Sequence, residues 1–195
     1  MERIGQRKLY AKGGITKWYW DCRDRAVLRH AARAGSVLDI GCGEGITLEK
    51  IVKQNGKNAV ALGVEPNVGN IVACRDLPVV RGDVYYLPTL PWDCCLLLDV
   101  IEHLSDPGRA LREIHHVLAP KGKLVIMFPN DRLFFFARIA FLKFKAAFAD
   151  YGHLWKFKPS TMSGILEEAG FSIQSVEKLP CKWFPLHTLI VARKT

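Results

Sequence analysis

Short apolar runs alternate with amphipathic stretches along this chain, and the alternation predicts strands and helices in turn. Residues 36–40 form a brief apolar run, the mark of a buried strand. Runs at 59–64, 79–80, 94–100 and 123–128 predict four more strands, and 171–177 and 186–193 two closing ones. Between them, 19–34, 47–54, 68–74, 107–118 and 160–169 read as helices. In 107–118, Ala110, Leu111, Ile114, Val117 and Leu118 recur at helical spacing. Gly35, Gly56 and Gly170 stand just past helix ends, where a left-handed residue stops a helix. Pro120, Lys121 and Gly122 predict a turn before the fifth strand. Strand–helix alternation implies an α/β fold: a doubly wound, mostly parallel sheet of about seven strands, with helices on both faces. No helix separates the last two strands, so the last strand is expected to run antiparallel.

With 195 residues the chain suits one domain. That domain would comprise an N-terminal helical cap (1–34), a core (36–128), an aromatic and basic insert (131–158), and a C-terminal helix with closing strands (160–195). Apolar residues make up 49%, too many for a disordered chain. The net charge of +9 favours anionic partners or marks a solvated face. It lies in no Lys/Arg block, so no nucleic-acid tail and no DNA partner are expected. None of the six cysteines forms a CxxC pair, which argues against a thiolate zinc site. Residues 1–12 are polar and basic, unlike a signal peptide, so a cytoplasmic protein with reduced thiols is expected. No run approaches the roughly 18 apolar residues of a spanning helix.

Candidate chemistry concentrates at 37–45, Val-Leu-Asp-Ile-Gly-Cys-Gly-Glu-Gly: strand, glycine turn, then helix. Glycines there permit positive φ and let a ligand touch the backbone. Doubly wound folds bind ligands in that crevice. A nicotinamide cofactor expects its third glycine at position 46, which is Ile46. The spacing is instead G-x-G-x-G after Asp39, and an acid beside the loop suits a cationic ligand. Glu65 ends the second strand, where a carboxylate can accept from both hydroxyls of a ribose. Asp83 follows the third strand and can accept from an adenine amino group, with Val84 or Tyr85 covering a ring face.

Together these segments resemble class I S-adenosylmethionine-dependent methyltransferases, over nearly the whole chain. VLDIGCGEG resembles the family's first motif, VALGVEP the second and GDVYYLP the adenine-side motif. LLLDVIEHLSDP and VLAPKGKLVIMFPN resemble the fourth- and fifth-strand segments of its small-molecule branch, with Lys121 where glycine is usual. GHLWKFKPSTMSGILEEAGF resembles a segment of quinone-biosynthesis O-methyltransferases and the methionine-biosynthesis-like group. The resemblance implies a Rossmann-like fold and S-adenosyl-L-methionine as cofactor, with S-adenosyl-L-homocysteine as product. It implies cofactor contacts at Asp39, Gly41, Cys42, Gly43, Gly45, Glu65, Pro66, Asp83, Val84, Asp99 and Val100. It implies a methyl acceptor that is small, hydrophobic or lipid-like, with O-methylation favoured.

Methyl transfer is an in-line displacement, so the enzyme mainly aligns the acceptor and excludes water. A hydroxyl or amine acceptor also calls for a base. Glu102 and His103 lie just past the fourth strand, and imidazole titrates near neutral pH. His153 could reach the same cleft from the C-terminal side. These three are the candidate catalytic residues; the plainer reading has Glu102 and His103 capping the next helix. With Asp99 they also offer two carboxylates and two imidazoles, a set that resembles the metal site of small-RNA 3′-terminal methyltransferases. The expectation adopted is no metal. His115 and His116 lie on a helix and read as surface residues.

The stretch 133–148 is aromatic and basic. If helical, it places Phe134, Phe141, Phe144 and Phe148 on one side and Arg138, Lys143 and Lys145 around the other. That pattern fits a helix packed on the sheet, a lid over a hydrophobic acceptor, or a peripheral membrane contact. An RNA methyltransferase is the main rival function, although no separate RNA-binding module is evident. A non-catalytic cofactor-binding partner protein is the other; such proteins often lose the glycines or the ribose acid, and all are present here.

Overall fold

The computed structural model describes residues 7, 10, 13–56, 59–140 and 152–195. In chain order the elements are α1 (Gly14–Ala31), β1 (Ser36–Ile40), α2 (Ile46–Asn55), β2 (Val60–Glu65), α3 (Val68–Ala73), β3 (Val79–Arg81) and β4 (Trp92–Leu98). A 3₁₀ turn (Ile101–His103), α4 (Pro107–Val117), β5 (Leu118–Pro129), α5 (Asp131–Ala140), α6 (Pro159–Glu168), β6 (Phe171–Pro180) and β7 (Pro185–Lys194) follow. The seven strands form one sheet in the order β3-β2-β1-β4-β5-β7-β6. β1 to β5 pair in parallel, and β7 is antiparallel to both β5 and β6. The expected class is therefore the observed one, with its antiparallel last strand.

Strand β4 shows why the sheet is central. Cys94, Leu96 and Leu98 enter one apolar layer with Val27 of α1 and Ile51 of α2. Cys95 and Leu97 enter the other with Leu111 and Ile114 of α4 and Leu166 of α6. Alternate residues face opposite sides of a strand, so a continuous apolar run needs cover on both faces. Each such side chain, fully buried, contributes about 1.5–3 kcal/mol. Helix α4 is set by its ends as well as its stripe: Asp106 accepts from Arg109 N at 2.8 Å and Pro107 occupies the first turn.

Two elements differ from expectation. Helix α1 starts at Gly14 and ends at Ala31, earlier than 19–34 at both ends. Its first turn is mostly exposed, so no apolar period marks it, and Arg33 takes the left-handed conformation at φ 65°. The expected turn at 120–122 lies inside β5. Trp92 pairs with Leu118 and Cys94 with Lys123, so the extra residues of β5 bulge out. Lys121 sits there at φ 61°, where the resemblance expected glycine.

The sheet order reverses between β1 and β4, and the crevice at their carboxyl ends is where the site lies.

Candidate active site

A cleft of about 830 Å³ opens at that switch point. One half is built by the loops after β1, β2 and β3. Gly41, Gly43 and Gly45 all adopt positive φ, at 71°, 57° and 73°. A Cβ on Gly41 would lie 2.5 Å from Val100 Cγ2, and one on Gly45 would lie 2.6 Å from Leu77 Cδ1. Glycine is thus required twice over, by conformation and by space. Glu65 is 5% exposed. Its Oε2 accepts from Gly43 N at 2.9 Å, and its Oε1 accepts from Asn67 N and Asn70 Nδ2, both at 3.0 Å. A carboxylate offers about four acceptor positions, so these bonds orient Glu65 without exhausting it. Pro66, Gly82, Asp83, Val84 and Tyr85 continue this wall. Asp83 Oδ1 accepts from Tyr85 N at 3.1 Å, and Val84 is buried.

The end of β4 divides the cleft. Asp99 is a non-glycine residue at φ 57°. Its Oδ2 accepts from Arg23 Nη2 at 2.7 Å, and its Oδ1 lies 3.0 Å from His187 Nε2, off hydrogen-bond alignment. Burial works to raise the Asp99 pKa, but His187 and Arg23 beside it win and hold it well below the usual carboxylate range. Asp39 lies behind the loop, facing a side pocket of about 40 Å³ shared with Trp20, Arg23, Thr47 and Asp99. Burial pushes Asp39 up to about 7, against the pull of Arg23. Among the described residues, Arg23 Nε and Asp39 Oδ2 at this end are buried without a hydrogen-bond partner, and Asp99 Oδ1 has only His187 Nε2 at 3.0 Å beside it. Buried orphans cost about 1–3 kcal/mol each. One cation and two carboxyl groups match the ammonium and carboxylate of an amino-acid moiety, so the residues present fit S-adenosylmethionine.

The other half carries the candidate catalytic groups. Backbone Glu102 O accepts from Leu154 N and Trp155 N at 2.8 and 3.2 Å, which ties 152–155 to the 3₁₀ turn. His103 Nδ1 donates to Gly152 O at 3.0 Å, and His153 Nδ1 donates to Asp131 Oδ1 at 2.8 Å. The two imidazoles cross edge to face at 4.8 Å. The Glu102 side chain is buried, and among the described residues neither carboxyl oxygen has a hydrogen-bond partner. Burial first, then the Asp99 charge, pushes its pKa up to about 8. One ligand atom each from Glu102, His103 and His153 lie within 4.8 Å of one another, close enough to share a cation. Trp20, Leu104, Phe134 and Leu154 give this half apolar walls.

The structure thus brings Gly41, Gly43, Glu65, Pro66, Asp83, Val84, Asp99, Val100, Glu102, His103 and His153 to one cleft. Cys42 and Gly45 are not among its lining. The Cys42 thiol packs beneath the loop, where it would meet a Cβ on Gly63 at 2.7 Å. Asp99 is tied to Arg23 and His187 and stands outside the Glu102–His103–His153 group, so the four-ligand set is reduced to three. His115 is half-buried against Phe171 instead of lying at the surface. Phe134 lines the cleft, while Phe141, Phe144, Phe148, Lys143 and Lys145 lie outside the described residues. Sequence reasoning missed Trp20, Arg23, Asn70, Asp131 and His187. Of these, Arg23 and His187 left a trace, as polar residues that end up buried within a helix and an apolar strand.

No helix among the described residues is long and apolar enough to cross a membrane. The methyltransferase domain family matches residues 19–176. A ubiquinone biosynthesis O-methyltransferase of Azorhizobium caulinodans is 30% identical over 155 residues, which is 72% of this chain and 60% of that protein. A probable S-adenosylmethionine-dependent methyltransferase of Mycolicibacterium smegmatis is 28% identical over 164 residues, 80% of this chain and 60% of that protein. The chain thus spans about three fifths of the length of both relatives. The crystal structure of an S-adenosylmethionine-dependent methyltransferase from Archaeoglobus fulgidus superposes with a TM-score of 0.71 at 22% identity, covering 97% of each chain. With the strand order, the glycine loop and the divided cleft, that family match over most of its length means that the chain belongs to the methyltransferase domain family, in its class I, S-adenosylmethionine-dependent branch.

Proposed function

We propose that this protein methylates a hydroxyl group on a small hydrophobic or lipid-like acceptor. The observation that carries the reading is the second half of the cleft, where an apolar enclosure surrounds a buried carboxyl, without hydrogen-bond partners among the described residues, and two oriented imidazoles. The bound donor supplies a methyl group already activated on a sulfonium. Everything else is alignment, exclusion of water and proton removal. Glu65 would hold the ribose, Asp83, Val84 and Tyr85 the adenine, and Arg23, Asp39 and Asp99 the amino-acid end. Trp20, Phe134 and Leu154 would enclose the acceptor body. In neutral His103 the proton sits on Nδ1, facing Gly152 O, so Nε2 is the basic atom that receives the acceptor's proton. His153, held by Asp131, and Glu102 complete the polar end.

A panel of phenols and long-chain alcohols, incubated with the donor and read by product mass, tests this. Methylation of apolar hydroxyl compounds with no turnover of matched amines is the expected result. Turnover of amines alone would replace hydroxyl by nitrogen as the acceptor atom.

A second reading follows from Glu102, His103 and His153 sharing one point in space. Imidazoles whose second nitrogen is fixed by a carboxylate or carbonyl, as Asp131 and Gly152 O fix these, are the arrangement that metal ligands adopt. A divalent ion here would polarise the acceptor oxygen in place of a base. Loss of turnover in chelator, restored by one divalent ion, supports it; full turnover in chelator ends it.

The stretch 133–148 carries a further part of the proposal, contact with an anionic membrane surface from which a lipid-like acceptor is drawn. Phe136 is exposed beside Arg132 on α5. Co-sedimentation with anionic but not neutral vesicles is expected, and equal recovery with neither removes the contact.

A further inference from the structure

His187 has no part in the chemistry described so far, yet it occupies a central place. It lies near the start of β7, paired across the sheet with Pro129 of β5 and Leu179 of β6, and is 4% exposed. Its Nε2 faces Asp99 Oδ1 at 3.0 Å, and its Nδ1 meets the Tyr19 hydroxyl. Tyr19 stacks on the ring with centroids 5.8 Å apart, and Phe134 meets it edge-on at 5.0 Å. Arg23 holds the second oxygen of Asp99. One carboxylate therefore joins α1, the end of β4 and β7, three elements far apart in the chain.

What depends on Asp99 is the backbone that follows it. A non-glycine residue in the left-handed region, as Asp99 is at φ 57°, is strained and persists only where its surroundings determine it. The next residue, Val100, fills the space against Gly41 that forbids a side chain there. Glu102 and His103 come immediately after, in the 3₁₀ turn. Movement at Asp99 would therefore disturb the glycine loop and the acceptor groups together.

We propose that His187, seated by Tyr19, is a positioning residue of the methyl-transfer site: it holds the Asp99 carboxylate, and through it residues 99–103, in the geometry that cofactor and acceptor share. The inference rests on the function proposed above. It also assigns the imidazole tautomer. A carboxylate can only accept, so Nε2 carries the proton toward Asp99, and Nδ1 accepts from the Tyr19 hydroxyl. The role is support and not proton transfer, because both nitrogens face protein groups.

Nitrogen-15 histidine labelling and long-range proton–nitrogen correlation of the wild type test the tautomer without any ligand. A protonated Nε2 and a bare Nδ1 are expected for His187, with the Nδ1 signal moved in Tyr19→Phe. Calorimetry with S-adenosylhomocysteine tests the consequence. His187→Ala should bind about tenfold or more weaker, as for loss of a polar contact to a charged group. His187→Gln, which restores an N–H toward Asp99, should return to within about threefold. A proton on Nδ1, or unchanged affinity in His187→Ala, overturns the proposal. So does a loss that glutamine fails to rescue, since packing alone would then explain it. A wild type that binds no S-adenosylhomocysteine overturns the function above, and the tautomer still decides the seating of His187.

Discussion

Glu65→Ala will bind S-adenosylmethionine at least about a hundredfold more weakly than the wild type in calorimetric titration, the loss of two hydrogen bonds to a charged group at about 1.5–3 kcal/mol each. The carboxylate has two tasks that a methyl cannot take over. It accepts from Gly43 N, Asn67 N and Asn70 Nδ2, and so fixes the glycine loop against the start of α3. Its remaining acceptor capacity is what the ribose hydroxyls would use. The variant will also melt at lower temperature, because Gly43 N is left buried without a partner. Glu65→Gln separates the two tasks, since it keeps the side chain's shape with half its acceptors. Unaltered affinity in Glu65→Ala would remove Glu65 from the ribose site. No binding by folded wild type would remove the cofactor reading itself.

The second large effect is expected at Glu102, both on turnover and on the pH dependence of stability. Glu102→Gln should lower kcat by a factor of about 10² or more, the scale of a lost acid–base or charge contribution. Its effect on stability has a sign that can be worked out. In the unfolded chain a glutamate ionises near pH 4.3. In the native protein burial and Asp99 push this one up to about 8. Between those values the native state keeps a proton that the unfolded state has released. Wild-type stability therefore falls as pH rises through that window, by at most about 1.4 kcal/mol per pH unit, and the full cost is present above the native pKa. Glutamine cannot ionise. The melting temperature of Glu102→Gln relative to wild type should thus climb from pH 5 to pH 8 or so and then level off. Asp39, pushed up to about 7, adds a slope of the same sign, but it does so in both proteins and cancels in the difference. A flat difference would show that Glu102 ionises in place, and unchanged kcat would remove it from the chemistry.

Buried Glu102 and buried Asp39 have a common logic with Arg23. Each is a polar group that the fold leaves incompletely satisfied at the cleft. Such groups are expensive in a folded protein unless a ligand completes them. Their concentration at the carboxyl ends of β1 and β4 is the physical signature of a site built around a partly charged guest. The wall at Glu65 is different: there the carboxylate is already held by three protein donors, so the site is pre-formed before the guest arrives.

Much of this was legible in the chain. Strand β1 was read with its observed bounds, because a five-residue apolar run bounded by glycines leaves little freedom. The glycine spacing and Asp39, Glu65 and Asp83 stand out in the sequence because each lies at or just past the carboxyl end of a strand, and strand ends of a parallel sheet converge on one crevice. The bulge in β5 was read as a turn because Pro120, Lys121 and Gly122 carry turn chemistry locally, whereas pairing with β4 on one side and β7 on the other holds the strand together. The start of α1 was invisible because an exposed turn has no apolar period.

By itself the sequence determined the α/β architecture, the antiparallel last strand and the glycine loop with the acid that ends β2, since period, turn chemistry and strand-end position are local properties. Only the tertiary structure decided which polar residues share a carboxylate. Arg23, Asp99 and His187 are separated by 76 and 88 positions along the chain, yet they meet because α1 packs across the sheet where β4 ends and β7 begins. The same packing withdrew Asp99 from Glu102, His103 and His153, because a carboxylate buried beside an arginine and a histidine is most stable bound to them. Long-range juxtaposition of this kind has no periodic trace in a sequence, so the pairing of charges belongs to the fold.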